Sequence, residues 1–166
     1  MVSGNAYNTK HLDTEQLIPA LCHKVYINYS MKKIILIFCV SKKLDTPHPA
    51  EELYVSPLFK KALAYAKSLN LDRIFILSAE HGLLPLDRVI APYNKTLNKI
   101  GVNDRRLWAQ GVLNDLREEC DLDNDHFTVL AGMKYREFIF AKLKHCDVPM
   151  ERMSIGRQLS FLTPKN

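Results

Sequence analysis

His81 is the residue best suited to move a proton, because imidazole titrates near neutrality and serves as a general acid or base. It stands in the stretch ILSAEHGLLPLDRVIAPY, Ile76 to Tyr93, with Glu80 beside it. Glu80, Asp87 and Glu137 are further candidate general bases. Cys39 ends an apolar run and could face His81 across neighbouring strands as a nucleophile–base pair; the plainer reading is a small core residue. Gly132 and Gly156 each fall between an expected strand and an expected helix. A backbone without Cβ lets a ligand approach helix amides there. Arg136 and Arg157 follow them and carry the planar fork that grips phosphate or carboxylate, and Lys42 and Lys43 add charge. Tyr54, Tyr93 and Tyr135 are able to stack on a base. Each has a blander alternative: a histidine capping a strand, glycines in tight turns, solvated arginines and packing aromatics. Neither glycine loop is a Walker A or G-x-G-x-x-G motif.

These residues come together only if the elements between them bring them to one edge. Ile34–Val40 is a continuous apolar run of strand length, as expected for a strand covered on both faces. Ser56-Pro57 reads as an N-cap followed by proline at the first helical position. Leu58, Ala62, Tyr65, Ala66 and Leu69 then recur at helical spacing. Arg73–Ser78 is a second buried strand and Phe127–Ala131 a third. Asn103 is expected to cap a helix reaching Glu119 that buries Trp108, Val112, Leu113 and Leu116. A further helix is expected over Met133–Lys144, a short fourth strand over Val148–Met153, and a closing helix over Ile155–Leu162. His48, His126 and His145 fall in expected loops. The alternation predicts an α/β fold: three layers, a mostly parallel sheet of about four strands, helices on both faces. In such sheets ligands bind beyond the carboxyl ends of the strands. The segments following the four strands (CVSKK, SAEHGLL, AGMKYRE, SIGRQL) converge there. The Ile76–Tyr93 stretch is expected to be a long site-forming loop.

The 166 residues favour one domain. Residues 1–30 show no sustained period and are expected to be an N-terminal extension, with a single α/β domain over 31–166. The composition, 47% hydrophobic and 25% charged, is globular rather than disordered. No apolar run approaches the roughly 20 residues that span a bilayer, so no membrane partner is expected. The four cysteines are scattered without a C-x-x-C pair. That indicates neither zinc site nor disulfide framework and fits a cytoplasmic location. No metal or cofactor is indicated. Residues 1–30 hold two lysines and two acids, so the net +5 lies wholly in 31–166. The excess permits an anionic partner without requiring one.

The motifs CVSKK, ELYVSPLFKKALAYAK, ILSAEHGLL, IAPYNKTL, LAGMKYREFI and IGRQLSFL resemble those of an uncharacterised bacterial and phage family. The likeness runs from Ile35 to Leu162. More remotely, HGLLPLDRVIAPY is similar to a stretch of the YaaA peroxide-stress family, whose members are implicated in DNA protection and bind DNA through a basic cleft. The resemblance marks Lys43, Tyr54, Ser56, Ser78, His81, Gly82, Pro92, Tyr93, Gly132, Tyr135, Arg136, Gly156, Arg157 and Gln158. Glu80 stands where the nearer family has lysine, and His81 where the remoter one has tyrosine.

Together these readings make His81, Ser78 and Glu80 the candidate catalytic residues. The remaining marked positions other than Pro92 become the candidate ligand-binding set. The expected function is action on DNA, RNA or a nucleotide, with base or N-glycosidic chemistry in a polar pocket at the sheet's carboxyl edge. The alternatives are a nonenzymatic DNA-binding or stress-protection protein and a small-ligand sensor.

Overall fold

The computed structural model describes residues 30–163; the expected extension over 1–30 lies, but for its last residue, outside the described residues. The chain enters at β1 (Lys33–Phe38). Ile34, Ile35, Leu36 and Ile37 are all fully buried. Successive strand residues point to opposite faces, so four consecutive buried positions mean that both faces of β1 are covered. Its amino end is pinned from two sides: Lys32 N donates to the buried Asp125 carboxylate at 2.8 Å and Lys33 N to Asp72 at 2.7 Å.

After a short strand β2 (His48–Pro49) and one helical turn α1 (Ala50–Leu53), the chain forms α2 (Pro57–Ser68). Ser56 Oγ accepts from Phe59 N at 3.1 Å, the cap that the Ser-Pro pair predicts. Next comes β3 (Arg73–Ser78), parallel to β1, with Phe38 level with Leu77. The chain reverses into β4 (Gly82–Pro85), antiparallel to β3, and then forms β5 (Val89–Ile90), which pairs with β2. The long helix α3 (Val102–Glu119) leads to β6 (His126–Leu130), parallel to β1 on its other side. A single turn α4 (Met133–Arg136), the edge strand β7 (His145–Asp147) and α5 (Ile155–Phe161) complete the described chain.

The main sheet runs β4-β3-β1-β6-β7 and is parallel except for β4. From β1 the chain crosses one way to β3, and from β3 it crosses back past β1 to β6. Right-handed crossovers in opposite directions place α2 and α3 on opposite faces. That is the expected three-layer α/β arrangement, with one strand more than the sequence suggested.

Several local expectations are corrected. The Ile76–Tyr93 stretch is not a long loop: it is the end of β3, a tight hairpin, β4 and β5. The fourth parallel strand is His145–Asp147 rather than Val148–Met153. Only Cys146 of its three residues is shielded, so an edge strand of His-Cys-Asp carries no apolar run to recognise. The helix expected over Met133–Lys144 stops after Arg136. Bonds from Ile139 N to Arg136 O, Lys142 N to Ile139 O and Leu143 N to Phe140 O wind the remainder as tighter three-residue turns. His48, His126 and His145 lie in strands, and His126 is level with His145 across β6 and β7. The N-cap of α3 is Gly101 rather than Asn103, and Gly156 lies within α5, behind the Ser154 cap, rather than ahead of it.

Candidate functional site

Beyond the carboxyl ends of β1 and β6 the structure leaves a cavity of about 650 Å³. Phe38, Cys39 and Ala131, which end those strands, line it, and Leu58 from the first turn of α2 joins them. Met150, Met153 and Ile155, between β7 and α5, add an apolar wall. Asn98, Tyr135 and Gln158 supply polar groups, and Lys134, Arg136, Glu151 and Arg152 the charges. Tyr135 Oη accepts from the Cys39 thiol at 3.4 Å, and its ring meets Trp108 edge-on at 5.7 Å. Burial raises the Tyr135 pKa, so the phenol stays protonated and able to donate.

Arg136 is only 8% exposed. Its Nη2 donates to Glu151 Oε1 at 2.8 Å, while its Nε is shielded and has no hydrogen-bond partner. Arg152 holds a left-handed backbone, φ +58°, which a side chain other than glycine rarely adopts. Such strain persists where the surroundings dictate it, frequently at binding sites. Gln158 Nε2 donates to Met153 O at 2.9 Å, tying α5 to the wall that precedes it.

A second cluster lies at the ends of β1 and β3, centred on Tyr93. Its hydroxyl is 2.8 Å from Ser78 Oγ and 2.8 Å from Tyr54 Oη. Ser78 Oγ also accepts from His81 N at 3.0 Å and Glu80 N at 3.3 Å, while Trp108 Nε1 donates to Ser78 O at 2.8 Å. Ser78 therefore closes the β3–β4 turn and holds the tyrosine pair, with its oxygen fully engaged. Burial pushes the Tyr54 phenol up to about 12 and raises Tyr93 as well, so both are neutral hydrogen-bonding groups at ordinary pH. Lys43 Nζ donates to Val40 O at 3.0 Å and sits 4.0 Å from the centre of the Tyr93 ring. Burial lowers its pKa, against a smaller raising effect of Cys39. His81 meets Tyr93 edge-on at 5.3 Å, and its Nε2 is buried without a partner. Burial lowers its pKa; Glu80 opposes this, and Arg88 and Lys95 add to it.

The sequence-derived residues thus divide. Gly132, Tyr135, Arg136 and Gln158 line the cavity. Lys43, Tyr54, Ser78, His81 and Tyr93 form the neighbouring cluster and do not line it. Ser56 caps α2. Gly82, at φ +70°, pairs with Ser78 where the hairpin closes. Glu80 is exposed and lies 3.4 Å from Lys95. Gly156 and Arg157 lie exposed on α5, off the cavity wall. Cys39 pairs with Tyr135 rather than with His81.

Asn98 sits in a single tight turn (Leu97–Lys99), and Met150, Glu151, Arg152 and Met153 stand in and beside a turn where the sequence suggests a fourth strand, so no spacing pattern marks them as a site. Arg105 also went unrecognised, although an arginine 5% exposed is uncommon. It bridges to Glu137 and donates to Ile100 O at 2.6 Å, fixing α3 to the segment after α4. Among the described residues no three or more His, Cys, Asp or Glu side chains gather as metal ligands, and no helix is long and apolar enough to cross a membrane.

Residues 34–164 match the profile of a family of unknown function, DUF6884. The chain is also similar to the uncharacterized protein YfjM of Bacillus subtilis (strain 168), 31% identical over 143 residues, covering 80% of this chain and 93% of YfjM. No solved structure matches the chain.

Proposed function

We propose, from the premise that this chain belongs to the DUF6884 family of unknown function, that it binds a nucleotide or nucleobase at the carboxyl edge of the sheet and acts on the base or its N-glycosidic bond. The observation that carries this reading is the make-up of the cavity. An apolar wall of Leu58, Met150, Met153 and Ile155 suits a planar ring, while Lys134 and Arg152 suit a phosphate. At about 650 Å³ it is of the size that accepts one such molecule. The likeness of HGLLPLDRVIAPY to the YaaA family supports a ligand related to nucleic acid. The reading places the protein in a reducing cytoplasm, where Cys39, Cys120 and Cys146 remain free thiols.

Proton transfer at a ligand in this cavity falls to Tyr135, which is held protonated, and to Glu151. His81 packs against Tyr93 in the other cluster. The test is a thermal-shift screen against nucleotides, nucleosides and free bases, with chromatographic detection of released base. Binding of at least one nucleotide and release of its base are expected. Tyr135→Phe is expected to keep binding within about tenfold and to lose about 100-fold or more in turnover, the range of a general-acid contribution. Absence of any nucleotide- or base-dependent shift overturns the reading.

A further inference from the structure

Arg152 stands where its backbone suits a different residue. Met153 N donates to Met150 O at 3.2 Å and closes a four-residue turn with Arg152 in third place, at φ +58°. A positive φ at that place favours glycine or asparagine, because a Cβ crowds the left-handed backbone. Among the described residues Asn70, Gly82 and Arg152 have positive φ, and Arg152 alone is of a type ill suited to it. Its side chain is exposed and makes no ion pair among the described residues, so no such contact offsets the backbone cost. The turn forms one wall of the cavity, and Lys134, also exposed and without an acidic partner among the described residues, lines the cavity too. The charged side chains lining it are three cations, Lys134, Arg136 and Arg152, against the one carboxylate of Glu151, a net of +2. Because Arg136 is paired with Glu151, the charges left to a ligand are those of Lys134 and Arg152.

From this arrangement we infer that the ligand is a nucleoside 5′-monophosphate, and that Arg152 occupies the turn against its backbone preference in order to hold the phosphomonoester together with Lys134. The inference rests on the nucleotide reading and names the form of nucleotide. A phosphomonoester carries about 1.5 to 2 negative charges at neutral pH, its second pKa lying at about 6. That matches the two free cations. A guanidinium engages two phosphate oxygens at once, and an ammonium acts as a point charge on another. A nucleoside leaves both cations unmatched. A 5′-triphosphate brings more negative charge than the cavity answers. Glycine in place of Arg152 suits the turn better and binds no phosphate, so stability and binding are expected to move in opposite directions at this one position.

The experiment is calorimetric binding to the whole chain of AMP, GMP, CMP and UMP, of their nucleosides and 5′-triphosphates, and of ribose 5-phosphate, repeated with Arg152→Gly and Lys134→Gln. At least one monophosphate is expected to bind about 100-fold more tightly than its nucleoside, the scale of two charge-assisted contacts, and no less tightly than its triphosphate. Arg152→Gly is expected to weaken that monophosphate at least about tenfold and to leave its nucleoside within about twofold. The same substitution is expected to raise the urea midpoint of the free protein. Lys134→Gln is expected to weaken the monophosphate to a similar degree without raising the midpoint. If a nucleoside binds as tightly as its monophosphate, or the triphosphate binds best, the inference falls while the nucleotide reading stands. Undiminished monophosphate binding by Arg152→Gly, or a lowered midpoint, likewise overturns it and makes Arg152 a structural residue of the turn. If ribose 5-phosphate binds as tightly as every monophosphate, or nothing in the series binds, the nucleotide reading falls and takes the inference with it. The wild-type comparison decides the matter even where a variant fails to fold.

Discussion

Tyr93 connects more of the carboxyl edge than its neighbours, because one hydroxyl spans Ser78 and Tyr54 while its ring carries Lys43 on a face and His81 against an edge. The surroundings of His81 lower its pKa and so favour the neutral imidazole. Burial disfavours the imidazolium most; Glu80 opposes it, and Arg88 and Lys95 add smaller disfavouring effects. An imidazole in the unfolded chain titrates near 6.5. Above that pH the residue is neutral in both states and does not alter stability. Below it the unfolded chain binds the proton first, so the folded state loses stability as the pH falls toward the depressed folded pKa. His81→Gln removes this contribution. Urea midpoints between pH 7.5 and 5.5 are expected to fall more steeply for wild type than for His81→Gln; equal slopes would show that His81 titrates as it does in the unfolded chain.

At the scale of elements, the β3–β4 hairpin decides what the edge looks like. Gly82 has φ +70°, and a Cβ there would lie 3.5 Å from Asp115 Oδ2 on α3, which is ordinary contact. The cost of a side chain is therefore conformational rather than steric. Gly82→Ala is expected to lose about 1–2 kcal/mol, the penalty for a left-handed backbone with a Cβ. Gly132, without positive φ and with open space around its Cβ position, is the matched control; Gly132→Ala is expected to stay within about 0.5 kcal/mol. Chemical denaturation with unchanged m-values checks both. The hairpin also shows why some elements were legible in the sequence and others were not. β1, β3 and β6 are apolar runs because both their faces are covered, and α2 announces itself through Ser56-Pro57. β4 is four residues embedded among Gly, Pro and Asp, which resemble a loop until Ser78 is seen to cap the turn that pairs them with β3. The same limit applies to the site. The sequence marked Tyr135 and Arg136, but their partners Cys39 and Glu151 lie 96 and 15 residues away along the chain. Juxtaposition of that kind comes from strand register and from an aperiodic turn, neither of which leaves a spacing pattern. Ser78 Oγ, marked in the sequence together with His81, is held by two backbone amides and a tyrosine, contacts that no spacing pattern announces.

For the whole molecule, the question raised by the proposed function is whether its charge would serve one bound nucleotide or a polymer. The chain carries a net +5, an excess that by itself fits either. The placement of cations at the site favours the smaller ligand. Arg136 is paired with Glu151, Arg105 with Glu137, and Lys43 is held over Tyr93 by two carbonyl groups. Lys134 and Arg152 are the cavity-lining cations without an acidic partner among the described residues. A polyanion neutralised along a groove releases condensed counterions, and six to ten phosphate contacts weaken binding about 10³- to 10⁵-fold between about 50 and 200 mM salt. A mononucleotide has no comparable condensed atmosphere, and two cations reaching one phosphate are screened only modestly. Its affinity is therefore expected to fall by less than about tenfold over the same range, whereas single- or double-stranded DNA is expected to bind weakly at 50 mM and to be lost by 200 mM. Fluorescence anisotropy of a labelled oligonucleotide beside calorimetry with GMP separates the two cases. A steep salt dependence with tight oligonucleotide binding would move the functional surface from the cavity to exposed cations outside it, such as Arg157 on α5.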